Sequence, residues 1–179
     1  ELPADAPMAT RALEELLDTL ALARDGAAPV RVRLVLEDDA TLGEEGYRLE
    51  VGEGLALVAR TDTGLLYAVQ SLRQLLPATA QPEYRLPHLS IADAPAYPWR
   101  GLSLDVARSF MPVEYLEKHI DRMAMFKMNR LHLHLSDDQG WRMEIKRYPK
   151  LVEIGGASAV KGGRSGWYTQ EQLEHLVAY

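Results

Sequence analysis

The sequence predicts an α/β chain: a small α+β domain over residues 1–96, then the first βα units of a (β/α)8 TIM barrel over residues 97–179. Two observations carry this. Between Val30 and Thr61 three short segments alternate apolar and polar residues, with a helical stretch on either side. Such strands need one covered face, and two helices are enough to cover it. Further on, the strand-like runs RGLSLDVARSF (Arg100 to Phe110) and NRLHLHLSDDQGWRMEI (Asn129 to Ile145) bracket the helix-like PVEYLEKHIDRMAMFKMN. That connection is long enough to cross over to a parallel strand. A whole barrel takes about 250 residues, so the stretch after Tyr97 is expected to supply only its first portion.

In order, residues 9 to 24 place Leu13, Leu16, Leu17, Leu20 and Leu22 mostly on one stripe, which predicts an amphipathic helix ending near Gly26. VRVRLVLE (Val30 to Glu37), GYRLEV (Gly46 to Val51) and LALVART (Leu55 to Thr61) read as strands, the last two a hairpin across Gly52 and Gly54. Asp62 or Thr63 can cap the next helix, whose Leu65, Leu66, Val69, Leu72, Leu75 and Leu76 form a broad apolar face stopped by Pro77. LPHLSIADAPAYPW, with Pro87, Pro95 and Pro98, reads as a stiff extended connection. The acidic run Glu37, Asp38, Asp39 reads as a solvated loop, since the further oxygen ligands of a calcium loop are missing.

With 47% hydrophobic and 26% charged residues the chain is globular rather than disordered. A net charge of -6 and a pI near 5.4, without any dense Lys/Arg run, argue against a nucleic-acid partner. The absence of cysteine excludes disulfides, thiolate catalysis and Cys-ligated metals, and fits cytoplasm and periplasm equally. No apolar run approaches the ~20 residues of a membrane span. The opening ELPADAPMATRAL lacks the basic and apolar regions of a signal peptide, although a signal removed earlier would leave the same start. No cofactor is expected, and oligomeric state is not legible.

Chemistry in folds of βα units gathers where parallel strands run out, and those ends carry Asp105, Arg108, Asp137 and Asp138. Arg108 offers a rigid fork of donors for paired sugar hydroxyls or a carboxylate; a salt bridge to Asp105 is the alternative. Adjacent acids repel, so one of Asp137 and Asp138 is expected to hold a fixed cationic or hydrogen-bonding partner, while Asp138 can instead cap a turn. Trp141 can give an apolar face to a sugar ring, or belong to the core. His132 and His134, an H-x-H pair on one strand face, invite a metal. If alternation holds to residue 137, Asp137 shares the face of Leu131, Leu133 and Leu135 and points away from both histidines, which weakens a three-ligand site. Packed, hydrogen-bonded histidines are the default.

The D-x-x-R of Asp105 and Arg108, followed at this separation by HLHLSDDQGWR, resembles the opening of the catalytic barrel in glycoside hydrolase family 20, the β-N-acetylhexosaminidases. DTGLLYAVQSLRQLLP and the sheet before it are similar to the α+β domain preceding that barrel, and YTQEQLEHLVAY to its second barrel helix. The resemblance implies that Arg108 binds hydroxyls of a terminal N-acetylhexosamine, and that Asp137 hydrogen-bonds a histidine supporting the general acid. It implies substrate-assisted retention, in which the substrate's acetamido oxygen attacks the anomeric carbon while a glutamic acid protonates the leaving oxygen. The family's acid is the second residue of an Asp-Glu pair, and this sequence contains no Asp-Glu dipeptide. The chain by itself is therefore expected to be inactive, an N-terminal portion of an exo-hexosaminidase acting on terminal β-linked GlcNAc or GalNAc, or on chitooligosaccharides. Such substrates favour the periplasm or the exterior. A metal-dependent barrel hydrolase using His132 and His134, or a non-catalytic carbohydrate-binding remnant, are the alternatives.

Overall fold

The computed structural model describes residues 2–22 and 31–179, in two units spanning 1–98 and 99–179. In the first, helix α1 (Pro7–Thr19) starts on a proline, whose fixed φ suits the first helical position, and buries Ala9, Ala12, Leu13 and Leu16. The helix expected to reach residue 24 stops five residues earlier. Leu22 N–H donates to the Leu17 carbonyl (2.9 Å) and Ala21 N–H to that of Asp18 (3.1 Å), while Ala21 takes a φ of 54°. This is a Schellman close made without glycine, and it turns Leu22 back onto the core. The expected end of that helix at residues 23 and 24, the stop near Gly26 and the strand start at Val30 lie outside the described residues.

Strands β1 (Val32–Leu36), β2 (Tyr47–Val51) and β3 (Leu55–Ala59) match the alternating segments, with β2 and β3 an antiparallel hairpin. Segment 89–93, expected as an extended connection, is instead a fourth strand, β4 (Leu89–Asp93), antiparallel to β2. An extended LSIAD laid along an open sheet edge satisfies its backbone groups by joining the ladder. The order is β1-β3-β2-β4, and Leu34, Leu57, Leu49 and Ile91 sit in register across it as one apolar row.

Helix α2 (Asp62–Leu75) packs on this sheet. Neither Asp62 nor Thr63 caps it; Thr61 does, its hydroxyl accepting from Gly64 N–H at 3.0 Å. Gly64 is required by proximity, because a Cβ there would sit 2.6 Å from the Gly46 carbonyl oxygen. Asp62 serves the other helix: its carboxylate oxygens accept from Met8 and Ala9 N–H, both at 2.9 Å, at the start of α1, which has no cap of its own. Of the acidic run, Glu37 and Asp38 are exposed in the loop after β1, as expected, while Asp39 is half-buried. Asp39 caps a short turn at Ala40–Leu42 and accepts from Arg48 at 2.7 Å, and hydrogen bonds from Thr41 first and Arg48 next hold its carboxyl down at about 2.

In the second unit β5 (Gly101–Asp105) and β6 (Arg130–His134) pair in parallel, joined through α3 (Val113–Met125), with Gly101 opposite Arg130 and Asp105 opposite His134. A two-residue hairpin follows at once, β7 (Ser136–Asp137) with β8 (Gly140–Trp141), then α4 (Lys150–Gly155) and α5 (Gln170–Ala178). Val106, Leu116 and Tyr168 form the buried centre, with Leu104, Phe110, Leu133 and Leu173 around them. Asp62→Ala should lower the stability of the first unit by about 1 kcal/mol in urea unfolding, as loss of a helix cap does. An unchanged midpoint would mean that the α1 amides are satisfied without it.

Candidate active site

Equal register places the outlets of β5 and β6 side by side, Asp105 against His134. Past Asp105 the chain makes an Asx turn, in which the Asp105 carboxylate accepts the N–H groups of Ala107 (3.0 Å) and Arg108 (3.1 Å). That turn projects Arg108 over the end of β6. Arg108 Nη1 lies 3.0 Å from Asp105 Oδ2, Nη2 lies 2.8 Å from Asp137 Oδ2, and Nε donates to Gln139 Oε1 at 3.0 Å. Arg108 thus makes the salt bridge to Asp105 and stands at the strand mouth with its side chain 43% exposed.

The strand parity does not carry to residue 137. β6 ends at His134, and the β7–β8 hairpin swings Asp137 back, so that its Oδ2 meets His134 Nε2 at 2.7 Å. The inference that Asp137 points away from both histidines fails for His134, because a tight hairpin starts one residue after the strand ends. His134 Nε2 also lies 3.1 Å from Arg108 Nη1. One ring nitrogen cannot donate and accept at once, and the shorter contact with an ionised carboxylate favours Nε2–H donating to Asp137. Arg108 then keeps one N–H on each Nη without an acceptor among the described residues. His132, its partner in the H-x-H pair, is exposed and bonds Ser103 Oγ through Nδ1 at 3.0 Å. Among the described residues no three His, Cys, Asp or Glu side chains cluster to hold a metal ion.

Asp137 is held well below the ordinary carboxylate range, by hydrogen bonding from Asp138 and His134 first and by the charge of Arg108 besides, which together outweigh desolvation. For Asp105 burial pushes upward, but the amide and guanidinium of Arg108 prevail and the net shift is down. Both acids are therefore anions, and Arg108 neutralises one side of each. Asp138 follows in the hairpin turn, giving its backbone N–H to Asp137 Oδ1 at 2.9 Å.

Trp141 stands apart from this cluster. It pairs with Ser136 across the hairpin, gives Nε1–H to the Met143 carbonyl, and would be touched at 2.8 Å by a Cβ on Gly155 of α4. With Asp137, Asp138, Tyr148 and Ile154 it lines a cleft of about 800 Å³. Two participants escape sequence reading. Gln139 looks like a turn residue, and only its place between the acids and Gly140 hints otherwise. Arg142 continues a polar run, yet it has no exposed surface, and its five N–H groups go to the carbonyls of Val106, Ala107, Gly156, Ser158 and Gly166.

Residues 97–179 match the model of the glycosyl hydrolase family 20 catalytic domain, and residues 1–94 that of domain 2 of the same family. A beta-N-acetylhexosaminidase of Cellulomonas fimi is 43% identical over 154 residues, which is 86% of this chain and 31% of that protein. A beta-hexosaminidase of Porphyromonas gingivalis is 45% identical over 147 residues, 77% of this chain and 19% of that protein. The family 20 beta-N-acetylhexosaminidase of Streptomyces coelicolor superposes with a TM-score of 0.84 at 40% identity, covering 99% of this chain and 38% of that one. The Streptomyces plicatus N-acetyl-beta-hexosaminidase, solved with Thio-NAglucal, gives a TM-score of 0.82 at 39% identity with the same coverage. The chain spans about a third or less of these curated relatives.

Because the native pKa of Asp137 is lowered, its ion pair contributes fully above the free aspartate value of about 3.9 and fades only as pH falls through the lowered native one. Carboxyl-carbon NMR should show no Asp137 inflection near pH 4. An inflection there would mean that the contacts with His134 and Arg108 do not form in solution.

Proposed function

Since the chain belongs to glycoside hydrolase family 20, we propose that it forms the non-reducing-sugar side of an exo-β-N-acetylhexosaminidase site, for terminal β-linked GlcNAc or GalNAc on glycans or chitooligosaccharides. The observation that carries this is the Arg108–Asp137 pair at 2.8 Å across the outlets of two adjacent parallel strands, with donors of Arg108 left over. In this reading residues 1–96 are the α+β domain that precedes the barrel, and β5, α3, β6 and the elements after them are the first units of a (β/α)8 barrel. Sites of that fold lie at the strand ends where this cluster lies.

The remaining Nη N–H groups of Arg108 donate to two neighbouring sugar hydroxyls, a fit of planar fork to diol that lysine cannot reproduce. Asp137 is a supporting group. Its Oδ2 is taken by Arg108 and His134, and Oδ1, beyond the bond from Asp138 N–H, accepts from a histidine that orients the general acid. Trp141 offers its indole to a sugar ring in the cleft it shares with Asp137 and Asp138. The reaction is retaining, the substrate's acetamido oxygen acting as nucleophile and a glutamic acid as proton donor. With no Asp-Glu pair in the sequence, that donor is not among these residues, and the chain alone turns over nothing.

In the protein expressed from its complete gene, Arg108→Ala should reduce kcat/KM on an aryl N-acetyl-β-glucosaminide by at least about 100-fold, the cost of a lost charge-assisted hydrogen-bond pair. Arg108→Lys should recover only a small part. Activity within a factor of two of the parent would remove Arg108 from the sugar site.

A further inference from the structure

We propose that Arg142 is the positioning residue for Arg108: its buried guanidinium locks the two carbonyls immediately before Arg108 to the loop between α4 and α5. This rests on the reading of Arg108 as a sugar-binding group. Arg142 Nε donates to Val106 O (3.0 Å) and Nη2 to Ala107 O (2.8 Å), so the fork grips the chain at the last two peptides ahead of Arg108. The same guanidinium reaches Ser158 O at 2.7 Å, Gly166 O at 2.9 Å and Gly156 O at 3.2 Å, both ends of the loop following α4.

The two segments are then stitched at successive residues. Val160 N–H donates to Arg108 O (2.9 Å), Arg164 N–H to Ser109 Oγ (3.3 Å) and Phe110 N–H to Arg164 O (2.8 Å). Ser158 Oγ adds a bond to Gln139 O at 3.0 Å, which ties the loop to the turn that presents Gln139 to Arg108 Nε. Arg108 therefore has its backbone set by one arginine and its side chain set by partners from two places: Asp105 at the end of β5, and Asp137 and Gln139 of the β7–β8 hairpin. Agreement among these requires the Cα of Arg108 to be placed closely, since a misplacement of about 1 Å in a positioning group costs about 100-fold. No carboxylate pairs with Arg142 among the described residues. Its role is not charge neutralisation but the satisfaction of five carbonyls that converge from separate segments, which a lysine with three donors on a point charge does not match.

Gly140 supplies an independent handle. A Cβ on it would stand 2.5 Å from Ala107 O and 2.5 Å from Arg142 Nη2, so Gly140→Ala pries the fork off the carbonyl next to Arg108 while leaving the arginine in place. The test compares the parent, Arg142→Lys, Arg142→Ala and Gly140→Ala by two readouts. One is the Arg108 Nε–H NMR signal, which reports its bond to Gln139; the other is titration with N-acetylglucosamine. Amide signals of β5 and β6 serve as the check on folding.

In folded Arg142→Lys and Gly140→Ala proteins the Arg108 Nε–H signal is expected to move to the position of a solvated arginine, with sugar affinity down at least tenfold. Millimolar guanidinium is expected to restore both in Arg142→Ala. An unmoved Arg108 signal in any folded variant overturns the proposal, and if the Arg142 variants do not fold, Gly140→Ala decides alone. If the parent binds no sugar, the functional reading fails by itself, and the Arg108 signal still settles whether Arg142 positions it.

Discussion

An arginine with no exposed surface and, among the described residues, no carboxylate beside it is the constraint around which the second unit is arranged. A buried cation is tolerable only when hydrogen bonds replace the water it has lost. Arg142 meets that condition by collecting five carbonyl oxygens, one for each N–H it owns. Burial still pushes its pKa down, but an arginine starts so high that it stays charged. The consequence reaches past Arg142 itself. Five carbonyls can converge on one planar fork only if the outlet of β5 and both ends of the loop after α4 take one arrangement, and that arrangement sets where Arg108 leaves the backbone.

From there the electrostatics of the strand mouth follow. Asp105 and Asp137 both ionise below the usual range, and Arg108 stands between them rather than beside one. His134, in register with Asp105, adds an N–H donor on the same oxygen of Asp137 that Arg108 approaches. The result is a partly exposed guanidinium held in a fixed plane, with donors aimed away from the acids that hold it. In the proposed hexosaminidase site this is a rigid recogniser of hydroxyls, and rigidity is what allows binding energy to go into orienting the sugar for a proton donor carried elsewhere. In the first unit the ion pairs among the described residues, such as Asp39 with Arg48, tie loops to the sheet.

Much of the architecture could be read from the sequence because its signals are local. The alternation of Leu102 and Leu104, and of Leu131 and Leu133, together with an amphipathic stretch of crossover length between them, is enough to place β5, α3 and β6 as a parallel unit. The local signal of α1 misleads at its end. Leu20 and Leu22 continue the apolar stripe, but they are buried by a chain reversal at Ala21, a left-handed residue that is not glycine. Strand β4 was hidden by the prolines around it, since an isolated LSIAD looks like a linker until an open edge lies next to it. At the site, Asp105, Arg108 and Asp137 were legible as charges at strand ends. The meeting of Asp137 with His134 was not, because periodicity cannot announce a hairpin that begins one residue after the strand stops. Gln139 and Arg142 were illegible for a different reason: their partners are Arg108 and backbone carbonyls distant in sequence, and no spacing rule encodes those.

The most direct measurement of the central claim is amide hydrogen exchange in the unaltered protein at Phe110 and Val160, whose N–H groups cross between the two segments that Arg142 clamps. Phe110 lies in a loop and Val160 opens a single 3-10 turn, Val160–Gly162, where exchange is ordinarily fast. If the buried guanidinium holds these segments as one body, they should exchange as slowly as the amides of β6, opening only with the unit as a whole. Exchange at the rate of ordinary loops, with β6 still protected, would show that the strand mouth is not fixed by Arg142 and that its geometry has another source.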